Sequence, residues 1–278
     1  MLIIDGKKIA GQILAGLERR AAVLPFRPVL CDLVVGDDPV SLSYVKIKQR
    51  TAEKIGLGFR LVQLPEDSSA EDVILALQKE QEDKNLCGLI VQLPLPEHLG
   101  KDEILAVIDS NIDVDCISPK ASQLFYSGSA DVCTPPTAAA IMHILEQQGL
   151  DLAKAKFLVV GQGELVGGPV TSLLRAKGYE VATADQETEH SELVRLGLAA
   201  DVIISGTGQG GLVTADMVKP GATVVDAGTS ESGADIVGDV DFAGVSRVAG
   251  AISPVPGGVG PVTVAKLLEN VVKVAENR

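Results

Sequence analysis

FLVVGQGELVGGP, residues 157–169, decides the architecture of this chain. Phe157–Val160 is a short apolar run of strand length. Gly161, Gly163 and Gly167 follow it, and Leu165–Lys177 reads as a helix. A strand that turns over glycines into a helix is where backbone N–H groups and a helix N-terminus hold a pyrophosphate. The spacing is not a strict GxGxxG, because the third glycine comes one residue late; the strand–turn–helix context carries the reading. Glu180–Thr183 reads as the next strand, and Asp185 lies just past its end, 24 residues beyond Gly161. A carboxylate there would meet the adenosine ribose hydroxyls and repel a 2′-phosphate. The expected dinucleotide is therefore NAD rather than NADP.

The alternation extends outward in both directions. Val202–Ser205, Thr223–Asp226 and Arg247–Ile252 read as further strands, and residues 262–276 as a last helix. Upstream, Leu2–Ile4, Pro28–Val35, Arg60–Leu64 and Gly88–Leu93 read as strands. Helices are expected at Lys7–Ala22, from Asp38–Pro39 to about Ile55, at Glu71–Glu80 and at Ala138–Gln148. Such a series implies parallel sheets with right-handed crossovers. The 278 residues favour two domains. The expected division is 1–135 and 136–261, with the helix at 262–278 packing back on the first. Apolar residues make up 46% and aromatics 3%, so the core is built from Ala, Val, Ile and Leu, as in sheets covered on both faces.

Composition also excludes. A net charge of −13 without a basic stripe argues against nucleic acid. No apolar run reaches membrane-spanning length, and the N-terminus has no cleavage site, so a cytoplasmic protein is expected. Cys31, Cys87, Cys116 and Cys133 form no CxxC pair, and the three histidines have no metal-ligand spacing. No metal is expected, and the thiols read as buried and free.

Four more segments carry candidate chemistry. Ser41, Tyr44 and Lys48 fall at i, i+3 and i+7 on one helix face. They offer an aromatic platform beside an ammonium, though a surface helix with an ordinary lysine fits the spacing equally well. YxxxK also occurs in short-chain dehydrogenases, but there the glycine turn precedes it; here it follows. Gln92 ends the strand in GLIVQLPLP, where ligands of open α/β sheets bind and where its amide could bond a catalytic lysine. In NIDVDC, an extended segment would point Asp113 and Asp115 the same way, and one carboxylate can accept both N–H groups of a pterin edge. A solvated acidic loop is the plainer alternative. SPVPGGVGPVT, residues 253–263, holds Pro254, Gly257 and Gly258 in a loop where backbone can approach a planar ligand.

Taken in order, VGDDPVSLSYVKIK, GLIVQLPLP, DVDC, VCTPPT, VVGQGELVGGP and SPVPGGVGPVT resemble the segments of the bifunctional methylenetetrahydrofolate dehydrogenase/cyclohydrolase (FolD) family, along nearly the whole chain. The resemblance implies an α/β protein with an N-terminal βαβ folate-binding catalytic domain and a C-terminal Rossmann-like domain around a cleft. It implies a homodimer acting on tetrahydrofolate derivatives with NAD or NADP. Lys48 would be the acid/base residue, Tyr44 would stack on the folate with Ser41 alongside, Gln92 would set the state of Lys48, and Asp115 would grip the pterin. Pro254, Gly257 and Gly258 would contact substrate. Val166, Thr207 and Gly208 would join Gly161, Gln162, Gly163, Gly167 and Asp185 around the dinucleotide.

Three departures stand out. Gln162-Gly163 replaces the family's Arg-Ser pair near the 2′-phosphate, Asp185-Gln186 replaces its His-Ser, and Cys116 replaces a glycine. The first two favour NAD; the third puts the aim of Asp115, and so folate affinity, in question. A monofunctional member of the family, or a non-catalytic binding protein on the same scaffold, shares most of these residues and stays open at this point.

Overall fold

Nearly every apolar run becomes a strand and every amphipathic run a helix in the computed structural model, which describes residues 1–232 and 235–278. The chain begins with β1 (Leu2–Ile3), α1 (Gly6–Ala21), β2 (Val29–Val35), α2 (Pro39–Lys54) and β3 (Gly58–Leu64). Then come α3 (Ala70–Glu80), β4 (Leu86–Val91), α4 (Lys101–Ala106), α5 (Pro119–Tyr126) and α6 (Pro136–Glu146). The second half holds β5 (Lys156–Val160), α7 (Gly167–Ala176), β6 (Glu180–Ala184), α8 (His190–Ala199), β7 (Val202–Ser205) and β8 (Thr223–Asp226). It ends with the antiparallel pair β9 (Ser230–Ser232) and β10 (Asp235–Val237), then α9 (Phe242–Val245), β11 (Ala251–Ile252) and α10 (Val259–Glu276).

Two compact units result: Met1–Gly11 with Thr137–Thr263, and Gln12–Pro136 with Val264–Arg278. The first is built on a six-stranded sheet of order β1-β11-β8-β7-β5-β6, parallel throughout. Counted from β5, the first five strands run 2-1-3-4-5, with the order reversing between β5 and β7. A crevice opens at such a switch point, outside the carboxyl ends of the strands. The core is aliphatic, with Leu158, Val160, Ile203, Val224 and Ile252 at its centre.

The second unit has a three-stranded parallel sheet of order β3-β2-β4. Alternation along β2 sends Leu30 into one core, with Leu17 of α1, Ala52 of α2 and Leu268, Val271 and Val272 of α10. Cys31 and Leu33 enter the other, with Val73 and Leu77 of α3 and Ile104 of α4. α2 starts where the sequence says it should: the Asp38 carboxylate accepts the Ser41 N–H at 2.7 Å, and Pro39 opens the first turn. α3 carries a full capping box between Ser69 and Asp72.

Some expectations change. The N-terminal strand, grouped on sequence with residues 1–135, belongs to the other sheet, where Leu2 and Ile3 pair with Ala251 and Ile252. A strand this short carries no sign of its partner; the open edge of β11 takes it. The strand expected at Arg247–Ile252 shrinks to Ala251–Ile252, because Val248 and Ala249 donate back to the Val245 carbonyl and continue the turn after α9. α4, α5 and α8 fall in stretches that carried no clear periodic signal.

Candidate active site

α2 buries Ser41, Val45, Lys48 and Ala52 and leaves Tyr44 39% exposed. Lys48 is only 8% exposed, and its ammonium has two anchors. Nζ donates to Gln92 Oε1 at 2.9 Å and lies 2.6 Å from Asp32 Oδ2. The Gln92 amide is oriented by its own next residue: Nε2 donates to the Leu93 carbonyl at 2.8 Å, so only Oε1 can face the lysine. Asp32 was not among the residues singled out on sequence. It is fully buried in the middle of β2, and its Oδ1 has no hydrogen-bond partner among the described residues. Burial pushes its carboxyl above the usual range, while the Lys48 charge and hydrogen bond pull it back. The available signal was one charge inside VLCDLVV.

Asp113 and Asp115 do not point the same way along an extended strand. The segment turns, and Asp113 organises the turn: its Oδ1 accepts the Cys116 N–H at 2.8 Å and its Oδ2 the Ser118 N–H at 2.8 Å. Asp115 is left partly buried on the Lys48 side, where desolvation pushes its carboxyl up to about 6, against the pull of Lys48. Cys116, where the resembling family has glycine, sits at φ 60, in the left-handed region. The turn is kept at a cost of about 1–2 kcal/mol for a side chain there. Cys116→Val is expected to lose about 2 kcal/mol in urea unfolding, since a β-branched residue tolerates that region worst. Cys116→Gly, which trades strain against lost packing, is expected to stay within about 1 kcal/mol. Equal losses for both would remove backbone strain as the cause.

In the other unit, a cleft of about 620 Å³ opens at the switch point, lined by Gly161, Gln162, Gly163, Asp185, Thr188, His190 and Thr207 among others. Val166, Gly167 and Gly208 are not on its wall; the Val166 side chain packs against Gly206 instead. The turn is tight. Gly161 has φ +88, and a Cβ on Gly167 would overlap the Gly161 carbonyl. A Cβ on Gly163 would meet nothing within 4 Å, so that face is open to a ligand's phosphates. The donor set fits a dinucleotide: α7 points its N-terminus at the turn, and Asp185 stands exposed past the end of β6. The Gln162 side chain folds inward, donating to the Gly161 and Val159 carbonyls and accepting from Thr171 Oγ1. No lysine or arginine appears among the described residues lining this cleft. Pro254, Gly257 and Gly258 form the turn before α10, with the Gly258 N–H donating to the Pro254 carbonyl and Gly257 at φ +106.

Comparison with known families matches both halves. Residues 4–115 match the tetrahydrofolate dehydrogenase/cyclohydrolase catalytic domain, and residues 135–278 match the NAD(P)-binding domain of the same enzymes. The chain belongs to the tetrahydrofolate dehydrogenase/cyclohydrolase family. Within it, the chain is 38% identical to the bifunctional protein FolD of Methanospirillum hungatei, covering 100% of this chain and 98% of that one. It is 40% identical to FolD of Staphylococcus haemolyticus over 96% of this chain and 94% of that one. Among solved structures, the bifunctional FolD enzyme of Campylobacter jejuni superposes with a TM-score of 0.95 at 35% identity, covering 100% and 99% of the two chains. The Trypanosoma brucei enzyme, solved with NADP cofactor and an inhibitor, gives 0.95 at 31% identity, covering 100% and 98%. Lys48, Gln92, Asp115 and the unforeseen Asp32 all fall in the match to the family's catalytic domain, and the cleft falls in the match to its NAD(P)-binding domain.

Proposed function

We propose that this chain oxidises 5,10-methylenetetrahydrofolate to the 5,10-methenyl form and hydrolyses that product to 10-formyltetrahydrofolate. The observation that carries the reading is the buried Lys48 ammonium, held at 2.6 Å by Asp32 and at 2.9 Å by Gln92, with Asp115, its carboxyl pushed up to about 6 by burial, beside it. NAD(P), when bound, accepts the hydride that leaves the methylene carbon. The chain's own residues serve the proton steps. In hydrolysis, water adds to the methenyl carbon and loses a proton; the bond from that carbon to N5 then breaks, and N5 takes up a proton. Lys48 is suited to move those protons, and Tyr44, exposed one turn earlier on α2, to stack on the folate rings with Ser41 alongside. Pro254, Gly257 and Gly258 are proposed as substrate contacts. A homodimer belongs to the same reading, and β6 leaves a sheet edge for it, pairing only with β5 among the described residues. Among the described residues no helix is long and apolar enough to cross a membrane.

NAD is the proposed preferred cofactor. Asp185 and Glu187 present two carboxylates at the end of β6, and the Gln162 amide is tied inward. The test is to supply purified protein with 5,10-methylenetetrahydrofolate and either NAD or NADP, and to follow methenyl formation; a separate assay follows methenyl hydrolysis. Rates in both assays are expected. Folate binding with neither reaction would leave a binding protein, and one reaction alone a monofunctional enzyme.

Asp115 gives this reading a pH signature. Its ionised form is the one that accepts two pterin N–H groups, and burial places its titration at about 6. Folate KM is therefore expected to fall as pH rises from 5 to 7, by about tenfold per unit at most. Asp115→Asn should raise KM and flatten that dependence; an unchanged slope in the variant would take Asp115 out of the role.

A further inference from the structure

A carboxylate in the middle of a buried parallel strand needs a reason. Asp32 is flanked by Cys31 and Leu33, both fully buried, and is itself 0% exposed. Stability does not supply the reason. A buried ion pair commonly contributes no more than apolar residues of similar size, because both charges lose their water. The unpartnered Oδ1 makes the balance worse. What Asp32 does have is one cation, Lys48, at 2.6 Å.

The sheet register makes this pairing a clamp. Asp32 lies opposite Ile90 on β4, and Gln92 follows two residues later, so Asp32 and Gln92 project from the same face. Lysine is a flexible four-carbon stem ending in a point charge with three N–H donors, and a single anchor leaves it free to rotate. Here one N–H is directed to Gln92 Oε1, and Asp32 Oδ2 holds the charge from 2.6 Å as an ion pair. An N–H of the ammonium is left for a substrate atom. The other charged groups near this ammonium are Asp115 and, behind it, Asp113, both from the segment between α4 and α5. Tyr44 is the titratable neighbour on α2 itself.

We propose that Asp32 is a positioning residue of the active site, whose buried carboxylate works opposite Gln92 to aim the Lys48 ammonium at the bound folate. The inference rests on the reading of Lys48 as the acid/base residue. Asp32 touches no reacting atom; it acts through Lys48, both by direction and by holding a negative charge against the proton that Lys48 moves.

The test compares Asp32→Asn, which keeps the shape and removes the charge, with Asp32→Val, which repeats the apolar residues of β2. Methenyltetrahydrofolate hydrolysis is measured across pH, with kcat and KM separated and the unfolding midpoint recorded. Both variants are expected to lose about tenfold or more in kcat, since a misaimed proton donor is costly. KM should stay within about threefold, because substrate contacts are untouched. The alkaline limb of the kcat profile should move to lower pH by about one unit or more, because the charge that favours the protonated pair is gone. A merely structural Asp32 would shift the unfolding midpoint and leave that limb in place. If Asp32→Asn does not fold, Asp32→Val carries the test, an apolar residue being at home in this strand. Wild-type kcat and pH profile in a folded variant would overturn the proposal. So would a raised KM with kcat unchanged. Should Lys48→Met also keep full hydrolysis, the reading of Lys48 fails with it; should Lys48→Met be inactive while both Asp32 variants match wild type, only the role of Asp32 fails.

Discussion

Lys48→Met is expected to leave methenyltetrahydrofolate hydrolysis at about a thousandth of the parent rate, in the middle of the range that general acid–base groups supply. Methionine keeps most of the stem and its packing in α2, so the loss reports the ammonium rather than a cavity. The dehydrogenase should fall by much less, roughly tenfold, because hydride transfer moves no proton and depends on Lys48 only for orientation. Equal losses in the two reactions would mean that the variant has damaged folate binding, which KM would register. Full hydrolysis would refute the assignment of Lys48.

The same variant carries a stability signature through Asp32. Burial already pushes that carboxyl up, and Lys48 is what pulls it down. Without the ammonium, the folded state binds that proton more tightly than the unfolded state does. A carboxyl raised on folding stabilises the native state fully only below its unfolded value. That stability is then lost as pH climbs through the raised folded value. Lys48→Met should therefore unfold at lower urea at pH 8 than at pH 5. The penalty at pH 8 is expected to reach about 3 kcal/mol, the scale of breaking one side of a buried pair. Adding Asp32→Val should restore stability without restoring activity, and a cycle over the four proteins isolates the coupling.

The difference between what was legible and what was not follows from where each signal sits. The glycine turn at 161–167, the capped start of α2 at Asp38–Pro39 and the aliphatic runs of β2, β4, β5 and β7 are local patterns, and each marks its element within a residue or two. Lys48 and Gln92 were legible as candidates because one lies on a helix face and the other at a strand end. Asp32 was not, because inside VLCDLVV it reads as an interruption until its partner on α2 is known. α8 was obscured by Gly197, a poor helix residue. It is required there because a Cβ would overlap the Met217 carbonyl, a contact that no local pattern reveals. The Asp113–Asp115 pair misled for a related reason: alternation holds only in extended backbone, and Asp113 bends this segment by capturing the N–H groups of Cys116 and Ser118. The N-terminal strand could be recognised but not assigned to a sheet, since pairing with β11 depends on residues about 250 positions away.

The cofactor cleft yields the second large effect: kcat/KM with NAD is expected to exceed that with NADP by about 100-fold at low salt. A 2′-phosphate brings close to two negative charges to the end of β6. There it meets the exposed Asp185, with Glu187 two residues on, and no lysine or arginine among the described lining residues to receive it. The Gln162 amide cannot turn outward to help without giving up the Gly161 and Val159 carbonyls and the Thr171 hydroxyl. Because these charges face solvent, the preference should shrink as ionic strength rises toward 1 M, where the screening length is about 3 Å. Asp185→Asn removes the charge while keeping an acceptor for the Glu187 N–H and the Thr188 hydroxyl that Asp185 Oδ1 now holds, so the turn should survive. That variant should gain about tenfold with NADP and lose less than that with NAD, the ribose hydroxyls losing only the charge of their acceptor. A parent enzyme that uses NADP at least as well as NAD would show that backbone N–H groups and water at this turn can hold a 2′-phosphate against two carboxylates. The Asp185 argument would then be wrong, with the family assignment intact.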